Sequence, residues 1–223
     1  MGHPGPHPEP PPDLHSRKLT IVELGDVLYR THRRDRSAVF FGRSGRNRFD
    51  DPQGEYRVLY AARDPHGSFI ETFGQATGNV SISTAGLAQN SLARLNAQRR
   101  LRLLDLTGPG SLANIGADSR LFAGEHNVAQ SWSRAVYEHP YAALDGIIYP
   151  ARHDPNRSAM AIFDRAPRID VLDSIPWHDG GTLRPLLAEI LDHYGFNLIE
   201  TVLAPERKQP GRAAHMTQRD LFE

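Results

Sequence analysis

The apolar residues of this chain fall in short blocks of strand length, and this pattern most limits what the chain can fold into. RVLYAA (57–62), LRLLDL (101–106), DGIIYPA (145–151), AMAIFD (159–164) and FNLIETVL (196–203) are each bounded by turn-forming or charged residues. VLYRTH (27–32) alternates in strand fashion and places Arg30 on one face. Within RVLYAA, Val58 and Tyr60 point one way and Leu59 and Ala61 the other.

Helical periodicity separates these blocks. EHNVAQSWSRAVYEH sets Val128, Trp132 and Val136 four apart on a stripe that should be buried. TLRPLLAEILDHYG carries an apolar face, with Thr182 as its expected cap and Gly195 as its stop. LAQNSLARLNAQRRL (87–101) places Leu87, Leu92 and Leu95 near one stripe and is also read as helical. In HGSFIETFGQATG, Ser68 and Glu71 have the spacing of a capping box. Strands and helices interleave with neither a regular βαβ rhythm nor a repeat of domain-building length, so the expected fold is α+β, with mixed sheets and flanking helices.

The 223 residues suit one large domain. MGHPGPHPEPPPDL favours extended polyproline II, so residues 1–18 are expected to form a disordered arm and 19–223 a single domain. Apolar residues make up 39% and charged residues 23%, enough for a core and a solvated surface. Twenty-six basic residues balance twenty-six acidic ones, so no global field draws the chain to nucleic acid or membrane. The absence of cysteine excludes disulfides, thiolate metal sites and a cysteine nucleophile. No stretch has the length of a membrane span and the N-terminus lacks a signal-peptide core, so a cytoplasmic location is expected.

The motifs of dinucleotide-binding Rossmann folds, P-loop NTPases, zincins and α/β-hydrolases are missing. His153-Asp154 and His178-Asp179 lie in loop-like sequence without metal-ligand spacing, and no metal is expected. GRSGR (42–46) is a glycine-flanked basic loop able to hold phosphate, though weak as a motif. THRRDR, GRSGRNR and QRRLR contain few aromatics for base stacking, so solvated faces or phosphate grips explain them better than nucleic acid does.

What remains is an ordered set: YR at 29–30, NRFD at 47–50, LYAA at 59–62, Glu71, DGIIYPAR, then AIFDR. From about Leu24 to about Val202 this set resembles the RES-domain family, named for its Arg, Glu and Ser. The resemblance implies a fold similar to ADP-ribosyltransferases and NAD+-consuming or ADP-ribose-transferring activity, several members being toxins of toxin-antitoxin pairs. It implies that Arg30 and Arg48 are the family's arginines, Tyr60 its strand tyrosine and Glu71 its glutamate. On this reading Glu71, Arg30 and Tyr60 are catalytic, and Arg30, Arg48, Tyr60 and Ala151 bind substrate. NAD+ is the substrate and a cognate antitoxin the implied partner.

Those residue types suit the chemistry. Cleaving the nicotinamide-ribose bond builds an oxocarbenium-like cation that a carboxylate stabilises. Two arginines can grip a pyrophosphate through bidentate bonds, and a tyrosine offers a ring face or a hydroxyl. One departure stands out: Ala151 occupies the position of the family serine, and register argues against Ser158 as a substitute. A degenerate protein that binds NAD+ or a partner without turnover is therefore the alternative expectation.

Overall fold

A computed structural model describes residues 9–74, 81–140 and 143–200. Ten strands are present: β1 (Ile21–Leu24), β2 (Leu28–Arg33), β3 (Val58–Ala62), β4 (Ser81–Ser83), β5 (Asn90–Ala97), β6 (Leu101–Asp105), β7 (Gly146–Pro150), β8 (Ser158–Phe163), β9 (Ile169–Pro176) and β10 (Asn197–Ile199). The helices are α1 (Pro65–Phe73), α2 (Thr84–Ala88), α3 (Ser111–Ile115), α4 (Arg120–Ala123), α5 (His126–Tyr137) and α6 (Arg184–Tyr194). Eight strands form one sheet in the order β1-β6-β7-β8-β3-β2-β5-β9, and β10 pairs with β4 separately. Within the large sheet only β6 and β7 run parallel. The fold is α+β.

Strand alternation splits the apolar residues between the two faces of the sheet. Val58, Ile147 and Tyr149 join a core with Trp132 and Val136 of α5, while Leu59, Ile148 and Ile162 join a second core on the opposite face. A third core gathers Phe69, Leu87, Leu92, Trp177, Leu187 and Ile190 around α1, α2 and α6.

One irregularity opens the sheet: β2 meets β3 at the single pair Tyr29↔Ala62, although β2 pairs along its length with β5 and β3 along its length with β8. Beyond that pair, Gly42 from the intervening loop bridges Val58 instead. The sheet is thus split where Arg30 and Tyr60 sit.

Several expectations are corrected. Residues 90–97 form a strand, not a helix. β5 lies between β2 and β9 with Leu92 in the third core and Ala93 and Leu95 in the second, so leucines three apart on a strand buried on both faces imitate a helical stripe. Helix α1 begins at Pro65, and its cap is Asp64, whose Oδ1 accepts from Gly67 N at 2.8 Å. Ser68 therefore lies inside the helix. Thr182 does not cap α6, which starts at Arg184; its amide instead donates to Asp179. Gly195 does end that helix, with φ +66°.

The expected arm also ends before residue 18. Leu14 is buried in the first core within a short turn, and Arg17 Nη1 donates to the Ile115 carbonyl. Residues 1–8 lie outside the described part, as do 201–223 with the end of the expected FNLIETVL strand. Among the described residues no helix is long and apolar enough to cross a membrane.

The true cap is testable. Asp64→Ala is expected to cost about 1 kcal/mol, within the range of roughly 0.5–2 for a lost N-cap, as measured by urea unfolding. Unchanged stability would show that the Asp64 side chain does not act as the cap.

Candidate functional site

A cleft of about 910 Å³ opens at the split between β2 and β3. Arg30, Arg48, Tyr60 and Glu71 all line it. Ala151 does not: it is 1% exposed, and its amide donates to the Arg157 carbonyl. Ser158 pairs with Pro150 at the start of β8 and is likewise absent from the lining.

The sequence around Arg48 folds through two buried carboxylates. Asp50 accepts from Ser44 Oγ, from the amide and side chain of Asn47, and from Tyr60 Oη. Asp51 accepts from the amides of Gln53, Glu55 and Tyr56 and pairs with Arg134 of α5 at 3.1 Å. Gln130 of α5 donates to the carbonyls of Gly45 and Asn47, and Ser133 donates to that of Phe49. A loop that reads as a run of Gly, Arg and Asp is thereby fastened to a helix. Arg48, 8% exposed, donates to the Gly124 carbonyl at 2.7 Å.

Of the ring face and the hydroxyl that Tyr60 could offer, the hydroxyl is already engaged within the protein. It donates to Asp50 Oδ1 at 3.1 Å and accepts from Phe49 N at 3.0 Å, so it ties β3 to the loop and leaves chiefly the ring to the cleft. Burial pushes the phenol well above its ordinary range, so it remains a neutral hydroxyl. Tyr60→Phe is expected to cost about 1–3 kcal/mol in urea unfolding, since two buried groups lose a partner. A loss of turnover at unchanged stability would instead place the hydroxyl on the substrate.

Glu71 projects from the second turn of α1. Its Oε1 accepts from Arg152 N at 2.8 Å, so it faces the loop after β7 and not the start of its own helix. Ser68 holds that helix to β2, its Oγ accepting from Thr31 N at 2.5 Å. Burial raises the Glu71 carboxyl above its ordinary 4.5, opposed by the Arg152 amide, His153 and Arg48. Arg30 is also desolvated, its guanidinium falling to about 10, which leaves it charged at neutral pH.

The lining holds six arginines (30, 36, 43, 46, 48 and 152) and a single carboxylate, Glu71. Outside the lining, some arginines pair with acids, as Arg17 does with Asp13, Arg99 with Asp145 and Arg157 with Asp64, while others, such as Arg102 and Arg165, donate to backbone carbonyls. None of the six forms an ion pair among the described residues. Arg30 Nε is buried without a hydrogen-bond partner. Unneutralised guanidinium groups in a concave, partly desolvated site suit a ligand with several phosphate oxygens. GRSGR contributes Gly42, Arg43, Ser44 and Arg46 to this wall, consistent with a phosphate grip.

Arg152 and His153 are among the lining residues that sequence reasoning passed over. His153 was considered only as half of a metal pair, and among the described residues no group of three or more His, Asp or Glu is placed to hold a metal. Their signal was position: Arg152 closes the DGIIYPAR motif and His153 follows it directly.

The fold and the cleft together define an α+β domain with an arginine-lined cleft that holds one half-buried acid. The chain belongs to the RES domain family, whose model matches residues 27–180. It is 32% identical over 123 residues to "Probable toxin y4kH" of Sinorhizobium fredii (strain NBRC 101917 / NGR234), a match covering 55% of this chain and 93% of that protein. A chain in the crystal structure of the M. tuberculosis MbcT-MbcA toxin-antitoxin complex has a similar fold, with TM-score 0.57 and 18% identity across 77% of this chain and 92% of that one.

Proposed function

We propose that this protein is an NAD+-consuming enzyme that cleaves the nicotinamide-ribose bond, as a glycohydrolase, phosphorylase or ADP-ribosyl transferase. The observation that carries this reading is the convergence of Arg30, Arg48, Tyr60 and Glu71 on one cleft whose arginines form no ion pair among the described residues. Arg30 and Arg48 grip the pyrophosphate through charge-assisted bonds and so fix the ribose. Glu71, carrying its charge in a desolvated wall, faces the sugar and stabilises the cation that grows as nicotinamide leaves. Nicotinamide is cationic in the substrate and neutral as it departs, so no general acid is needed. The Tyr60 ring supplies a flat wall for the nicotinamide or ribose.

A role as the toxin of a toxin-antitoxin pair, acting in the cytoplasm where NAD+ is consumed, is supported by the relative named a probable toxin and by the neighbour solved in complex with an antitoxin. The partner would act by covering the cleft.

The test is direct. Purified protein is incubated with NAD+, with and without phosphate, and nicotinamide release is followed; phosphate dependence separates phosphorolysis from hydrolysis. Persistent absence of turnover, with any inhibitory partner removed, overturns the reading. One observation favours the alternative of binding without chemistry: residue 151 presents a buried methyl where the family has a serine. NAD+ binding without turnover by calorimetry, with turnover appearing in Ala151→Ser, would establish that alternative.

A further inference from the structure

The loop from residue 151 to 157 is held more firmly than a connection between two antiparallel strands requires. Asp154 organises it, accepting from Asn156 N at 3.2 Å and from Tyr194 Oη of α6 at 2.9 Å. The Arg157 amide donates to the Asp154 carbonyl at 2.9 Å, and its guanidinium reaches Asp64, the cap of α1, at 3.3 Å. The same loop sets the Arg152 amide on Glu71 Oε1. Helices α1 and α6 therefore fix where the next side chain, His153, points.

His153 lines the cleft, and its Nε2 is buried without a hydrogen-bond partner. It lies close enough to Glu71 to favour that carboxylate's charged form. A buried polar atom without a partner is costly and calls for a functional reason, particularly on a loop this tightly held. Two residues earlier, the Ala151 side chain offers no hydrogen bond.

We propose that His153 is a substrate contact, its Nε2 hydrogen-bonding the nicotinamide riboside half of the dinucleotide at the carboxamide or the attached ribose. The inference rests on the NAD+-cleaving reading of the cleft. Glu71 sits at the sugar whose bond breaks, so the groups within reach of its neighbour are that sugar and the ring it carries. A carboxamide and a ribose hydroxyl each donate and accept, so an imidazole nitrogen finds its complement there with or without its proton. The contact is a hydrogen bond to the riboside half and leaves the phosphates to the arginines.

The test compares His153→Ala and His153→Gln with the wild-type protein, measuring KM and kcat for NAD+, inhibition by nicotinamide and calorimetric binding of ADP-ribose. His153→Ala is expected to weaken NAD+ by about tenfold, the size of one hydrogen bond, and His153→Gln, whose amide can reach the same place, to recover most of it. Weakened nicotinamide inhibition places the contact on the carboxamide, whereas weakened ADP-ribose binding places it on the ribose. Wild-type turnover with both variants unchanged overturns this inference while leaving the proposed reaction standing. Equal impairment of both variants with lowered thermal stability assigns His153 a packing role and also overturns it. Wild-type protein that neither binds nor cleaves NAD+ overturns both.

Discussion

Glu71→Gln is expected to lower nicotinamide release from NAD+ by about 100- to 1,000-fold, the cost of removing one preorganised electrostatic partner, roughly 2.7–4 kcal/mol in the transition state. The substitution keeps the size of the side chain and an oxygen able to accept from Arg152 N. It removes the negative charge that the developing cation requires. Stability should move the other way. Burial raises the folded-state pKa of Glu71 above 4.5, so the folded protein holds this proton more tightly than the unfolded chain does. Ionised Glu71 thus costs stability, fully so above its folded pKa, and the cost disappears as pH falls below 4.5. Glutamine removes the cost, so the melting temperature at neutral pH should not fall, a separation of activity from stability common at functional sites. In the wild-type protein the acid limb of kcat/KM should lie above pH 4.5, because the protonated carboxyl is inactive. A glutamine variant with wild-type turnover would remove Glu71 from the chemistry.

Arg48→Ala is expected to raise KM for NAD+ and weaken ADP-ribose binding by roughly 10- to 100-fold, the equivalent of about 1.5–3 kcal/mol for a hydrogen bond to a charged group. Arg48→Lys should recover little of this, since an ammonium keeps the charge but lacks the planar fork that meets two phosphate oxygens at once. The same reasoning applies to Arg30, which burial holds at about 10 and which therefore stays cationic throughout the physiological range. ADP-ribose is the informative ligand because it carries the pyrophosphate without the scissile bond, so its calorimetric affinity reports the grip alone. Unchanged ADP-ribose affinity in both arginine variants would show that the phosphates lie elsewhere. Arg48 also anchors the Gly124 carbonyl, so a small loss of stability should accompany the loss of affinity.

Much of the architecture was legible from local pattern. The stripe of Val128, Trp132 and Val136 on α5, the alternation of Val58 and Tyr60 against Leu59 and Ala61 on β3, and the pairing of the two apolar runs as β7 and β8 all follow from periods of a few residues. Where the reading failed, two local signals competed. Ser68 and Glu71 have the spacing of a capping box, but Asp64-Pro65 four residues earlier is the stronger start, because proline gives up no amide there and the aspartate supplies the cap. That shift frees Glu71 from its own helix. Leu92 and Leu95 have helical spacing yet enter different cores, because β5 is covered on both faces.

The sequence by itself determined the centre of the chemical inventory, Arg30, Arg48, Tyr60 and Glu71, in an order that marks the family, together with the α+β character of the chain. Only the tertiary structure decided that β2 parts from β3 after one residue pair, that the Tyr60 hydroxyl is committed to Asp50, and that Arg152 and His153 come to Glu71 from 81 and 82 positions further along. Caps and periodicities are settled within a turn or two of backbone, whereas these contacts depend on β3, β8 and β7 lying side by side. Such neighbours are chosen by the burial of whole strands, a sum over many distant residues to which no short stretch of sequence corresponds.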